Sequence, residues 1–428
     1  MRIAPNLALA AVTTGLLAGG ASAQLLDAFM PPGVPGYGTA PGVTVTSRAR
    51  PDTEPAGIRM GPWRLRPLLE QSLGVDDNVL GGTAKQGSVV IRTQPSLLAG
   101  TDWSRHAVGL YVAADDRRTP GAPAQDRTDW TVSLGGTLDL GRDRLTLGAA
   151  HFDRHQDRTE LDALPSDRPV AFRVDDARAS YAWSFGRWTV TPSVEASSWR
   201  FADTSILGVA VGQSYRNRTV TQGGATARYE LAPLRDVLVV TRAIGQHYTA
   251  PRAGQPLLDS IGTQMLAGFD YDVDALWRVR MLAGMEHRRF AARDFRSHTA
   301  PVVEAQVAWM PTGMTTVTLS LTRTIDDAAQ EGVAGFTNTS TRLTLDHEAR
   351  RNLLLHASAE VRRADFLQGG TRQDGYSFGA GVTWLASRSV RVSATYDLST
   401  QHGGQAATLP LSGNYTRNQA LLTLRFGL

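Results

Sequence analysis

Apolar and polar side chains alternate along most of this chain, and the alternation continues to its last residues. Near the C-terminus, Leu422, Leu424 and Phe426 are apolar, whereas Thr423 and Arg425 between them are polar. Successive side chains of a β-strand point to opposite faces of the sheet, so this pattern indicates strands with one apolar and one polar face. Because the pattern covers most of the chain, we expect one sheet whose two faces meet different surroundings.

Eighteen segments show this alternation, and most are about 10 to 15 residues long. The segment at 236–249 is the least regular, because Val237 to Val240 is continuously apolar and Arg242 could lie on either face. The predicted strands cover 61–75, 88–103, 105–117, 127–140, 143–155, 171–186, 187–201, 213–231, 236–249, 257–273, 277–291, 297–309, 314–325, 335–347, 353–366, 373–385, 389–399 and 415–428.

A soluble β-sandwich is the alternative fold, because its strands also present one apolar face. The predicted strands are long for a sandwich, however, and match a tilted membrane crossing. Their second face is almost purely small or polar, as expected of a water-filled interior. We therefore predict an all-β fold, a single transmembrane antiparallel β-barrel of about 18 strands. Pairing 61–75 with 415–428 would close it, so that no sheet edge faces lipid.

The positions of the tryptophans favour the membrane barrel over the sandwich. Seven of them lie on the apolar face of a strand, at the end that adjoins a short turn or, for Trp63, the preceding leader. A soluble core would bury tryptophan in the middle of strands, whereas an aromatic girdle at a membrane interface has this placement. The predicted girdle residues are Trp63, Trp103, Trp183, Trp188, Trp277, Trp309 and Trp384.

The connections between the strands alternate in length. Short turns are predicted at 102–105, 141–143, 185–187, 310–313 and 386–388, and longer polar loops near 76–87, 114–127, 154–170, 202–213 and 400–414. In bacterial outer-membrane barrels the periplasmic turns are short and the outer loops are longer. With an even number of strands, both termini are expected on the periplasmic side.

The N-terminal region predicts export. Arg2 precedes an apolar stretch from Leu7 to Leu17, and small residues before Gln24 form a cleavage site. We therefore divide the chain into a cleaved signal peptide (1–23), a flexible Pro/Gly-rich periplasmic leader (24–57) and the barrel (58–428), located in the bacterial outer membrane. The chain has no cysteine, so it offers no disulfide and no attachment site for a lipid anchor.

One part of the sequence resembles a known family. Residues 61–67, followed by Gly74-Val75-Asp76-Asp77-Asn78, are similar to the opening of the outer-membrane β-barrel porin-2 family, whose first strand ends in an Asp-Asp-Asn turn. The turn at 102–105 also resembles that family, and the specific likeness covers about 60–118. The resemblance implies a porin-like barrel, and related barrels are linked to exopolysaccharide export.

The charged residues of the polar face form the predicted functional surface. Mixed charges could simply solvate a lumen and pair across strands, or a modest arginine excess could attract anionic solutes or acidic sugar chains. Basic residues are spread along the chain rather than gathered in one run, which disfavours nucleic-acid binding. The lumen-lining candidates are Arg64, Arg66, Glu70, Arg92, Asp270, Asp272, Arg278, Arg280, Glu304, Arg342, Glu360, Arg362 and Arg425.

These features predict a passive outer-membrane conduit, either a porin or the pore of an exopolysaccharide export system. The alternative is a structural or surface-adhesion barrel with an occluded lumen and partner-binding outer loops. We expect no enzymatic activity, cofactor or metal. The expected partners are outer-membrane lipid and the barrel-insertion machinery, which reads the C-terminal strand. Polysaccharide and a periplasmic export lipoprotein would join them if the chain serves polymer export.

Overall fold

Long strands form wherever side chains alternate in polarity, and hydrogen-bonded neighbours along the chain are antiparallel. The computed structural model describes residues 34, 44–46, 48, 50–252, 254–272, 276–367, 370–403 and 414–428. The predicted signal peptide and much of the predicted leader lie outside these residues. Within them, no helix is long and apolar enough to cross a membrane.

Among the described residues there are 21 strands, of which 18 are long and build a closed antiparallel barrel. The other three are short: β1 forms a hairpin with β2, and β9 pairs with β10. Single 3-10 turns lie at Pro123–Gln125 and Ser214–Arg216. The strands are β1 (Ile58–Met60), β2 (Trp63–Asp76), β3 (Ser88–Thr101), β4 (Ala107–Arg118), β5 (Arg127–Asp139), β6 (Arg144–Gln156), β7 (Val170–Phe185), β8 (Trp188–Phe201), β9 (Thr204–Ile206), β10 (Val209–Val211), β11 (Arg218–Ala232), β12 (Arg235–Tyr248), β13 (Ser260–Asp272), β14 (Trp277–Phe290), β15 (His298–Thr312), β16 (Thr315–Asp326), β17 (Phe336–Arg350), β18 (Leu353–Phe366), β19 (Arg372–Leu385), β20 (Val390–Gly403) and β21 (Tyr415–Gly427).

The first and last long strands close the barrel. β2 and β21 pair from Leu68 opposite Gly427 to Asp76 opposite Gln419. The predicted fold class, an antiparallel barrel of about 18 strands closed by these two segments, is therefore confirmed. Closure gives every long strand two hydrogen-bonded neighbours, which is what a sheet surrounded by lipid requires.

The two faces of the wall differ as the alternation predicts. On the outer face, aliphatic side chains such as Val194 and Met265 are 61% and 64% exposed. On the inner face, side chains contact each other across intervening strands: Arg242 of β12 forms an ion pair with Glu304 of β15. Such contacts are possible only across the concave side of the sheet, so the ion pairs identify the interior.

The least regular predicted segment, 236–249, is a continuous strand, β12. Leu238 and Val240 point inward and are buried together with Leu266, Leu282 and Val302 of the next three strands. This inward apolar patch explains why the sequence lacks alternation there. Arg242 continues the inner face, as its ion pair with Glu304 shows.

The two ends of the barrel carry connections of different length. At the short-turn end, Gly186 and Arg187 alone join β7 to β8, and 351–352 alone join β17 to β18. The long-loop end carries 77–87, 119–126, 157–169, 202–217, 249–259, 291–297 and 327–335. All seven predicted girdle tryptophans lie at the short-turn end; Trp63 is half-buried and the other six are exposed.

A buried ion network joins the closing strands at the long-loop end. The Asp76 carboxylate accepts hydrogen bonds from Arg417 at 2.6 Å, from Arg117 at 3.1 Å and from Gln419 at 3.1 Å. The backbone N–H of Asn78 also donates to it, which forms the tight turn after β2. The Asp-Asp-Asn sequence thus links β2 to β4 and β21.

Replacing Asp76 by alanine should strongly destabilise the barrel. It would leave the buried guanidinium groups of Arg117 and Arg417 without this carboxylate, a change that costs about 3 to 5 kcal/mol in buried pairs. Asp102→Ala is the control, because its ion pairs with Arg59 and Arg64 are exposed and are worth at most about 1 kcal/mol. The free energy of unfolding from urea titration in detergent measures both. Equal losses for the two variants would contradict the prediction.

Candidate functional site

Most charges on the inner wall are paired with an opposite charge. The Arg92 guanidinium donates to Asp115 at 2.7 Å, and Arg342 lies 2.6 Å from Glu360. Pairs of this kind neutralise much of the interior field. Charge selectivity of the lumen therefore depends on the few groups that such pairs leave uncompensated.

The strand register places the predicted lumen-lining residues on the inner face, and they occupy three settings. Glu70 with Arg425, Asp272 with Arg278, and Arg64 with Asp102 form long ion pairs of 3.4 to 3.5 Å toward the short-turn end. Arg92, Glu304, Arg342 and Glu360 belong to the closer pairs of the wall. The third group consists of residues that the register places inward but that belong to neither set of pairs named above: Arg66, Asp270, Arg280 and Arg362.

One sector of the wall, β16 to β20, carries mainly small polar residues inward. Asp397 lies in the middle of β20 on this face and is exposed to solvent. Gly379 of β19 makes room for it: a Cβ there would lie 2.9 Å from the Asp397 Oδ1 and 2.8 Å from the Ser358 hydroxyl. The inner face is therefore open beside Asp397 in the middle of the barrel.

The opposite sector is closed by apolar packing. Trp199 of β8, which faces inward, is only 3% exposed and stacks on Phe172 with ring centroids 6.0 Å apart. Phe152 and, from the predicted leader, Val34 are buried in the same cluster. Trp199 is thus covered and offers no open ring face to the lumen.

At the long-loop end, two loops fold inward and meet. They are 157–169, between β6 and β7, and 327–335, which lies nearly opposite between β16 and β17. The Ala329 N–H donates to the Asp162 carboxylate, and the Tyr215 hydroxyl donates to the Ala329 carbonyl at 2.7 Å. Leu161 is buried beside Phe336 and neighbouring apolar residues. Together the two loops form a constriction across this mouth.

Loop 157–169 is fixed to the wall at its start. Asp157 accepts two hydrogen bonds from Arg127, at 3.1 and 2.5 Å. The Thr159 carbonyl accepts from the Tyr415 hydroxyl at 2.8 Å. A bidentate arginine contact holds a carboxylate in a defined geometry, so the loop is anchored to strands β5 and β21.

The constriction holds two carboxyl groups whose pKa values are shifted. Burial raises the pKa of Asp162 to about 7, and the nearby Asp326 carboxylate adds to this effect, whereas Arg216 opposes it. Burial and the Asp157 carboxylate likewise raise the pKa of Glu160 to about 7. Both groups therefore change charge near neutral pH.

At the short-turn end, part of the predicted leader lies along one side of the mouth. The Val45 N–H donates to the Thr316 hydroxyl at 3.0 Å, and the Arg50 guanidinium donates to Glu348 at 2.8 Å. Further along, the Thr53 carbonyl accepts from Arg391 at 3.3 Å. Residues 44–46, 48 and 50–57, here called the strap, thus lie along one side of this mouth, from the β16–β17 side to the β20–β21 side, before β1 begins.

Two other chemical features give no site. The chain contains a Gly-x-Ser-x-Gly spacing centred on Ser377, but Ser377 lies inside strand β19 and not at the strand-to-helix turn that exposes a nucleophile. Across the described part of the chain, no group of three or more His, Asp or Glu residues is placed to hold a metal ion.

Sequence reasoning missed the constriction and the strap. Asp162, Glu348 and Arg391 meet partners that are distant in sequence: the Asp162–Ala329 contact spans 167 residues. Pattern analysis along the chain carries no signal for such contacts. The one local hint is the φ of +59° at Asp162, because a non-glycine residue in the left-handed region marks a tight turn.

Comparison with known proteins identifies the type of barrel. The family described as "Putative beta-barrel porin 2" matches residues 50–427. No curated protein matches the chain. Among solved structures, OccK2 (OpdF) of Pseudomonas aeruginosa is 14% identical, with 85% of this chain and 98% of that chain covered and a TM-score of 0.46. The copper transporter OprC is 11% identical, with 88% of this chain and 84% of that chain covered and a TM-score of 0.45. An apoprotein structure of the FrpB iron transporter from Neisseria meningitidis is 7% identical, with 87% of this chain and 82% of that chain covered and a TM-score of 0.46.

The inward packing of loop 157–169 should weaken as the pH rises through about 7. Its packed state holds the Asp162 proton more tightly than a released loop, whose ordinary pKa is 3.8, so the packing is fully favoured below pH 3.8 and disfavoured above about 7. Asp162→Asn mimics the protonated group and serves as the reference. The amide hydrogen-exchange rate of residues 157–169 in the wild type, divided by the rate in Asp162→Asn, should rise between pH 5 and pH 8. A ratio independent of pH would contradict this.

Proposed function

Because this chain belongs to the beta-barrel porin 2 family, a group of porin-like outer-membrane barrels, we propose that it is a passive conduit for small hydrophilic solutes. The short-turn end, with both termini, faces the periplasm in this proposal, and the long loops face outward. The conduit supplies a polar path through lipid and needs no covalent chemistry or cofactor.

The observation that carries this proposal is the exposure of Asp397. A carboxylate in the middle of an inward-facing strand is solvated only if water enters the barrel, and burying an ionised carboxylate without a partner would be costly. The neighbouring inward residues of β19, Ser377, Gly379 and Gly381, are small. Together they form a wet, smooth sector along which a solute can move.

The constriction limits what can pass. Loops 157–169 and 327–335 meet through the Asp162–Ala329 hydrogen bond, and the strap lies along one side of the other mouth. This geometry favours small solutes over a polysaccharide chain, and the comparisons give no support for exopolysaccharide export. The inward loops also favour the alternative function, a barrel with an occluded lumen whose outer loops bind a partner.

Shortening the constriction loop should widen the path. Replacing 328–334 by a two-residue Gly-Ser linker removes Ala329 and its contacts with Asp162 and Tyr215. We expect a severalfold rise in single-channel conductance in planar bilayers, because resistance is concentrated at the narrowest point. Replacing Thr83 and Ala84, which are exposed in loop 77–87 at the same end, by two glycines is the control and should leave the conductance unchanged.

The same recording separates the two functions. A wild-type protein that conducts supports the conduit, whereas one that stays silent, and conducts only after 328–334 is shortened, supports the occluded barrel. Silence of both proteins after correct insertion would overturn the conduit proposal.

A further inference from the structure

Two arginines face each other directly at the short-turn mouth. Arg391 of β20 and Arg425 of β21 are opposite in the register, and both lie on the inner face. Like charges at directly opposed positions destabilise a sheet. A pair of this kind persists where another interaction, such as a nearby anion, compensates for the repulsion.

The described residues supply only part of that compensation. The Arg425 guanidinium lies 3.4 Å from Glu70. Arg391 donates to the Thr53 carbonyl at 3.3 Å, but no carboxylate of the described residues lies within ion-pair distance of it. This contrasts with the closely paired arginines of the wall, such as Arg92 and Arg342. The inner face of this mouth therefore carries more positive than negative charge.

A cavity lies directly against this pair. Its volume is about 60 Å³, and Arg66, Arg388, Arg391 and Arg425 line it from the barrel side. Space of this size holds several water molecules or one carboxylate group. Four arginines around such a space favour an oxyanion, because the planar guanidinium matches a carboxylate in two parallel hydrogen bonds.

The strap places its own carboxylate at the same cavity. Glu54 lines the cavity from the strap side and is half-buried, yet it does not come within ion-pair distance of the described arginines. The residues on either side of Glu54 are held, Thr53 by Arg391 and Pro55 by close packing on Gly427. Glu54 is thus held near the arginines without being locked to any of them.

We propose that this cavity is a binding site for the carboxylate of a small organic anion, and that the nearby Glu54 carboxylate competes with that anion for the arginines. An entering anion neutralises the opposed Arg391–Arg425 pair and repels Glu54. The strap then moves only as far as its contacts with Arg391 and Gly427 allow. The proposal rests on the conduit function for its physiological meaning, but binding itself does not require conduction.

Calorimetric titration of the purified full-length protein in detergent with succinate tests the site. Succinamide, which has the same shape without charge, is the matched control ligand. Arg391→Gln should weaken succinate binding at least tenfold, since hydrogen bonds to charged groups are worth about 1.5 to 3 kcal/mol. Glu54→Gln should strengthen it severalfold, because it removes the competing carboxylate.

Arg187→Gln is the control variant, because Arg187 lies at the same end of the barrel but in an exposed turn. It removes the same charge and should leave the succinate affinity unchanged. The Arg391→Gln variant should remain folded, since the substitution removes a like-charge pair. On heating, its electrophoretic mobility should change by the same amount as that of the wild type, which verifies the fold. Equal succinate affinity of wild type and Arg391→Gln, or equal binding of succinamide, would overturn the site.

Failure of this proposal is distinguishable from failure of the conduit. A wild-type protein that conducts in bilayers but does not bind succinate overturns the binding site and leaves the conduit in place. A protein that binds succinate, with the Arg391 and Glu54 dependence above, but never conducts overturns the conduit and leaves the site in place.

Discussion

The rest of the structure depends on the hydrogen bonds between β2 and β21. Lipid offers no partner for a backbone N–H or carbonyl, so a spanning sheet has no stable form with a free edge. Once these strands pair, from Leu68 opposite Gly427 onward, every long strand has two neighbours and two fixed faces. The alternation of side chains, the aliphatic exterior and the charged interior all follow from that closure. The buried Asp76–Arg417 pair reinforces it at the long-loop end.

The fold could be predicted because its rule is local. A two-residue period decides the face of each side chain, and the predicted strands agree closely with the observed ones; 353–366 is identical to β18. The predicted and observed strands differ where another interaction competes with the alternation. The segment predicted at 213–231 begins instead at Arg218, because Ser214–Arg216 form a 3-10 turn. In 236–249 the inward Leu238 and Val240 break the alternation, since they pack against residues of other strands.

The candidate site could be predicted only in part, because its decisive contacts are not local. Strand parity suffices to propose which charges point inward, but it does not show which of them are paired. Arg242 and Glu304 meet across two intervening strands. The constriction depends on Asp162 and Ala329, which no periodicity brings together. The strap lies in a Pro- and Gly-rich stretch that has no strand pattern, so the sequence indicates neither its path nor its contacts.

Pairing of the wall charges changes where selectivity can arise. If all the inward arginines acted together, the whole lumen would attract anions, but pairs such as Arg92 with Asp115 leave little net field at their positions. An uncompensated charge near low-dielectric walls acts much more strongly than one that is paired or fully solvated. Arg391 comes nearest to this condition, because no carboxylate of the described residues lies within ion-pair distance of it and it faces the like charge of Arg425. Selectivity in this barrel is therefore expected at one opening and not along its length.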